Sequence, residues 1–156
     1  MSPSVKRRTR TAVFWLLRVG LGALMLVPGV LKMLDPTSFA TEIHNYQLFP
    51  ALAPVLAAAL PAVEITLGAV LLAGTRPWVR AGALGSAVLL AVFTVAVTSV
   101  VARGINISCG CFGAGSGPIS ALTLLRDLAL LAASGALYAL AAGTPAPVAP
   151  ARPISR

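Results

Sequence analysis

Cys109 and Cys111, separated by Gly110, are the two cysteines of a 156-residue chain. Thiols one residue apart can close a small disulfide ring, exchange with a partner's disulfide, or offer two ligands to a metal. Disulfide geometry wants Cα atoms about 4.4–6.8 Å apart. An i, i+2 pair approaches that range only where the backbone bends, and Gly110 permits the bend because it lacks a Cβ. So tight a ring is expected to be strained, and strained disulfides are the oxidising, easily reduced kind. The spacing therefore favours thiol–disulfide exchange over structural stapling. A guanidinium near the pair, for which Arg103 is the candidate, would favour the reactive thiolate. Structural zinc wants four ligands and His44 is the only histidine, so no metal site is expected; His44 reads as a solvated residue.

The elements that carry this pair are apolar. Hydrophobic residues make up 58% of the chain and charged residues 10%, whereas a soluble domain carries roughly 25% charged residues. A soluble fold of this size cannot hide so much apolar surface, so an integral membrane protein is expected. The formal net charge of +8 does not point to nucleic acid, because the basic residues sit at segment ends and not along one face. Four stretches reach the length of about 20 residues that a helix needs to span a bilayer: about Ala12 to Leu34, Ala53 to Ala73, Val79 to Ala102 and Ala121 to Ala142. The reading is an all-α membrane four-helix bundle over residues 12–142, preceded by a basic N-terminus (1–11) and followed by a Pro-rich disordered tail (143–156). The first apolar run is too long for a signal-peptide h-region and ends without a small-residue cleavage site, so it is expected to stay in place. Asp35-Pro36-Thr37-Ser38 can start a short interfacial helix, with Asp35 or Thr37 as its cap. Small residues at Gly20, Gly22, Gly82 and Gly85 favour close helix approach.

Lys6, Arg7, Arg8, Arg10, Arg18, Arg76, Arg80, Arg152 and Arg156 fall on one side of such a bundle; Lys32, Arg103 and Arg126 fall on the other. The basic side is expected to face the cytoplasm, which puts both termini inside. The Cys-Gly-Cys loop then faces outward, where disulfides persist. Charges at membrane depth need partners. A rise of 1.5 Å per residue places Glu64 roughly 17 Å and Arg18 about 21 Å below the outer boundary, so Arg18 and Glu64 are expected to pair. Arg126, about 8 Å down by the same count, is a poorer match. Its neighbour Asp127 points about 100° away around the helix, so those two need not pair. Lys32, Asp35, His44, Asn45 and Tyr46 form a polar collar, with Tyr46 read as an interface anchor.

Gly29-Val30-Leu31-Lys32, Asp35-Pro36, Phe39, Tyr46 to Pro50, Leu60-Pro61-Ala62-Val63-Glu64, Gly68, Gly74, Arg103-Gly104, Cys109-Gly110-Cys111-Phe112-Gly113 and Leu124-Leu125-Arg126-Asp127 together resemble the DoxX-like membrane proteins, most closely their MauE branch, named for methylamine utilisation. Beside the arginine the family pattern often has an amide where this chain carries Asp127. The resemblance implies a four-helix membrane protein that works with an extracytoplasmic thioredoxin-like partner or redox subunit, supporting disulfide formation there. It makes Cys109 and Cys111 the redox pair and marks Lys32, Glu64 and Arg126 as family positions. No cofactor motif is readable; a bilayer quinone is one candidate acceptor for the electrons. Two other readings stand beside this one. The first is a non-catalytic membrane anchor or assembly factor of a redox complex. The second is a small transporter with Arg18, Glu64 and Arg126 along a polar path, its cavity enlarged by a homodimer.

Overall fold

A computed structural model describes residues 3–105, 107 and 119–143. The Cys109 and Cys111 positions and the segment from 144 onward lie outside the described residues. Helix α1 runs Pro3–Leu34, α2 Pro36–Asn45, α3 Ala53–Ala73, α4 Arg76–Ala102 and α5 Ala121–Ala142; a single 3₁₀ turn, Pro50–Leu52, leads into α3. Four of these helices are long and apolar enough to cross a membrane. The chain is a multi-pass membrane protein, and no strand occurs among the described residues.

The second and fourth spans fall where the apolar runs place them. The first and third begin earlier, because the basic turns Pro3–Thr11 and Arg76–Trp78 continue their helices without interruption. Helix α1 packs on α3, α3 on α4, α4 on α5 and α5 on α1, which closes a ring. Leu16, Val19, Val55, Val88, Val95 and Leu122 are exposed on its outside, the surface a lipid-facing bundle requires. The start of α1, the turn after Gly74 and the end of α5 share one end of the bundle. Helix α2, the end of α4 and the start of α5 share the other, the collar end.

Local sequence explains how the elements stop and start. Helix α4 ends in a Schellman motif: Gly104 takes the left-handed conformation (φ 65°), its N–H bonds Val101 O and the N–H of Ile105 bonds Val100 O. Glycine suits that position because no Cβ opposes positive φ. Asp35 caps α2 through the Ser38 amide at 3.1 Å, with the Thr37 hydroxyl also donating to the same oxygen. Bonds from the Ser38 hydroxyl and amide, and then from the Thr37 hydroxyl, hold the Asp35 carboxyl below the usual carboxylate range. At the head of α5 the Ser120 N–H donates to Thr123 Oγ1.

Arg18 is buried in the first span and does not meet Glu64. Its Nε donates to Leu71 O at 2.7 Å, and its Nη2 donates to Leu72 O and Gly74 O at 2.9 and 2.8 Å. Leu71 and Leu72 lie in the last turn of α3, where carbonyls lack an intrahelical partner, and Gly74 follows as its cap. A cation at that end also complements the helix dipole. The expected Arg18–Glu64 pair fails because the antiparallel register of α1 and α3 sets Arg18 against the last turn of α3. Glu64 lies seven residues back, about 10 Å along the axis at 1.5 Å per residue.

The register comes from small residues. A Cβ on Gly68 would stand 2.8 Å from Leu26 N and 2.9 Å from Gly22 O, backbone atoms that cannot swing aside. A Cβ on Gly22 would meet Leu72, and one on Gly29 would meet Ile65 and Glu64. Gly82 packs against Val70 and Leu71, and Gly85 against Leu67. Gly20, expected in such a seam, has nothing near it. The buried cluster Phe14, Leu21, Leu71, Val79, Ala83 and Leu137 fills the half of the ring nearer the termini. Gly68→Ala must push α1 and α3 apart and should lose about 1–3 kcal/mol of stability. Gly135→Ala, which faces open space, should lose nothing; thermal unfolding of both variants in lipid nanodiscs compares them.

Candidate functional site

The bundle is hollow toward the collar. Beyond Gly85, α3 and α4 no longer touch through glycine. Leu56, Leu60 and Glu64 on α3, and Phe93, Ala96 and Val97 on α4, instead line a cavity of about 380 Å³. That is within the size range of small-molecule sites. Lys32 closes it from α1, Arg126, Asp127 and Leu130 from α5, and α2 roofs it with Phe39, Glu42, Ile43 and Tyr46. Those four roof residues recur at i, i+3, i+4 and i+7, one face of a helix.

The centre of the site is Lys32, 2% exposed, whose ammonium donates to Glu64 Oε1 at 2.5 Å. The rings of Phe39 and Phe93 lie 4.9 and 5.3 Å from Nζ, so the cation sits against two π faces. Glu64 is 4% exposed, and its second oxygen, Oε2, accepts no hydrogen bond. Across the cavity Asp127 is 2% exposed, and Arg126 donates to its Oδ1 from Nη2 at 2.9 Å and from Nε at 3.2 Å. Here the expectation that adjacent residues need not pair is corrected: the long arginine stem wraps back around the helix and offsets the angle between the two side chains. Asp127 Oδ2, like Glu42 Oε2, is buried without a hydrogen-bond partner.

On the roof, burial pushes the Glu42 carboxyl upward, opposed by the Lys32 charge. Tyr46 is pushed up to about 12, chiefly by burial and then by the charges of Asp127 and Glu42, with Arg126 opposing. Its phenol therefore stays protonated at neutral pH and can donate. Tyr46 lines the cavity. Lys32 leaves the expected polar collar for the interior, whereas Asp35, His44 and Asn45 stay exposed.

Arg103 ties the roof to α4. Its Nη2 donates to Tyr46 O at 2.5 Å, its Nη1 lies 3.5 Å from Gln47 O, and its Nε donates to Ser99 O. Gln47 has φ 52°, a conformation that costs a non-glycine residue of order 1–3 kcal/mol; the arginine bridge helps hold it there. Of the residues the sequence singles out, the fold brings Lys32, Glu64 and Arg126 to one cavity, sets Arg103 at its rim, and sends Arg18 to the far end of α3. A polar path through Arg18, Glu64 and Arg126 is therefore not formed. Glu42, Phe93 and the cavity role of Asp127 are missed by sequence reasoning. An acid within the fourth span was a readable signal for Asp127.

Removing one member of a buried ion pair leaves the other charge without its counter-charge. Lys32→Met should cost about 3–5 kcal/mol of stability, while Lys32→Met combined with Glu64→Leu should recover most of that loss. Equilibrium unfolding in nanodiscs measures both.

Residues 10–141 match the family model described as methylamine utilisation protein MauE. The methylamine utilization protein MauE of Paracoccus denitrificans is 36% identical over 139 residues, which cover 87% of this chain and 72% of that protein. No solved structure matches the chain. With the match spanning all four membrane helices, the chain belongs to the MauE family.

Proposed function

We propose that the chain is a membrane accessory protein of methylamine utilisation that supports thiol–disulfide exchange outside the cytoplasm through Cys109 and Cys111. One observation carries the reading. The Cys-Gly-Cys segment lies in the α4–α5 connection, and the described ends of that connection are held together, Ile119 N–H donating to Ile107 O at 3.0 Å. The same connection leaves α4 beside Arg103, which is bonded to the roof of the cavity. A thiol pair lying between two chain positions that are drawn together suits exchange with a second protein.

The reaction balances as two exchanges. A thiolate of an extracytoplasmic thioredoxin-like partner attacks one sulfur of the Cys109–Cys111 disulfide, breaking that bond and forming a mixed disulfide. The partner's second thiolate displaces it. The partner leaves as a disulfide, two electrons and two protons poorer, and Cys109 and Cys111 become thiols. Reoxidation passes two electrons and two protons to an acceptor, and a bilayer quinone, reduced to quinol, fits that requirement. The family's tie to methylamine utilisation comes from the name of the Paracoccus denitrificans relative. For sidedness, the clustering of Arg7, Arg8, Arg10, Arg76 and Arg80 at the end opposite the collar supports a cytoplasmic assignment of that end.

In cells carrying the native chain, alkylation trapping should find Cys109 and Cys111 partly oxidised, and a membrane-impermeant maleimide should label the reduced pair without lysis. A thioredoxin-like partner stripped of its second cysteine should accumulate as a mixed disulfide with the native chain, and should not do so with the Cys109→Ser/Cys111→Ser chain. A Cys109→Ser/Cys111→Ser chain that still supports full methylamine-dependent growth would instead favour the anchor or assembly-factor reading.

A further inference from the structure

Five charged side chains line the collar cavity: Lys32 and Arg126 face Glu42, Glu64 and Asp127. One negative charge is in excess among these lining residues; Arg103, which bonds the roof at Tyr46 O, is exposed and stands outside the lining. Three carboxylate oxygens on these lining residues, Glu42 Oε2, Glu64 Oε2 and Asp127 Oδ2, are shielded from solvent and accept no hydrogen bond. Two of the three belong to side chains more than nine-tenths buried. A buried ionised oxygen without a donor is costly, and native interiors rarely leave several together. All three orphan groups are acceptors, so what completes the site must donate.

Three completions are chemically possible. A proton on one carboxylate removes the charge excess but occupies one oxygen of three. Water or a neutral hydroxyl compound donates but leaves the charge. A primary ammonium supplies one positive charge together with N–H donors, so it offsets the charge and can complete the orphan oxygens it reaches. The remaining lining suits an organic substituent: it is dominated by aliphatic and aromatic side chains, and the Phe39 and Phe93 rings that already face the Lys32 ammonium can face a second cation. Leu24, Val92 and Val95 line the cavity and are also exposed on the outer surface of the bundle, so an amphiphilic molecule can enter from the lipid. We propose that this cavity binds a primary amine with an apolar substituent, held as its ammonium ion by Glu42, Glu64 and Asp127.

The test uses the full chain in lipid nanodiscs, with empty nanodiscs correcting for partition into lipid. Isothermal titration compares butylamine, hexylamine and 2-phenylethylamine with 2-phenylethanol, which keeps the apolar body and a hydroxyl donor but carries no charge. At least one amine should bind saturably and raise the unfolding temperature, at least tenfold more tightly than the alcohol. Asp127→Asn and Glu42→Gln should each weaken amine binding about tenfold, the loss expected for one charge-assisted hydrogen bond, and leave the alcohol unchanged. Glu42 lies on the roof helix, so Glu42→Gln keeps the test valid should Asp127→Asn fail to fold. The Cys109→Ser/Cys111→Ser chain should bind amine as the native chain does, which separates this proposal from the thiol reading. The proposal is overturned if no amine binds, or if the alcohol binds equally well. It is also overturned if infrared difference spectra show a protonated carboxyl band that amine does not remove, for then a proton completes the site.

Discussion

An ammonium and a carboxylate held together inside a lipid-facing bundle set the terms for the rest of this structure. Lys32 on α1 and Glu64 on α3 are both almost wholly buried, and neither charge can be left alone in so apolar a place. Their bond fixes the rotation of α1 against α3, since both side chains must point into the ring. It also demands an enclosure, which the Phe39 and Phe93 rings provide. The amphipathic face of α2 thus has a reason to fold down over the membrane helices. Without that roof the ion pair would stand open to water at the mouth of the bundle.

The opposite end solves a different problem by different means. There Arg18 reaches the last carbonyls of α3 and stands 4.8 Å over the Trp15 ring. Arg80 lies over Tyr138 while donating to its hydroxyl at 2.8 Å, and Arg76 lies over Phe14. Here cations terminate helices and cover aromatic rings. At the collar end, charges are instead balanced against one another around a void. The bundle is therefore asymmetric along its axis: one half is packed by side chains and glycine seams, the other is held apart by charged groups and arched over by α2.

That asymmetry follows from where the small residues fall. Gly22, Gly29 and Gly68 draw α1 and α3 together along most of their length, while Gly82 and Gly85 bring α4 onto α3 in the half nearer the termini. Past Gly85 the face of α4 toward the cavity carries Leu90, Phe93, Ala96 and Val97. No glycine follows on α4 to let the backbones approach, and the helices separate. A ligand-sized space is the geometric result, and Arg103 holds its roof in place from the end of α4.

The helical class, the four spans and a short helix capped at Asp35 or Thr37 were legible in the sequence because each rests on local chemistry: a continuous apolar run, and a side-chain oxygen placed just ahead of free amides. Glu64 and Arg126 also stood out, since an ionisable residue at membrane depth contrasts with its neighbours, whereas Lys32 was placed in the polar collar and was marked only by the family resemblance. Their partners were not legible. Depth counted from assumed boundaries matched Arg18 to Glu64, but pairing depends on the antiparallel register, which glycine contacts between α1 and α3 set and which no single segment encodes. The Arg126–Asp127 bond was missed for a related reason: helical angle describes where a side chain starts, not where a long one ends. The cavity, with Glu42 and Asp127 facing Lys32 across it, was decided only by tertiary structure, because it exists where two helices stop touching and a third element covers the gap.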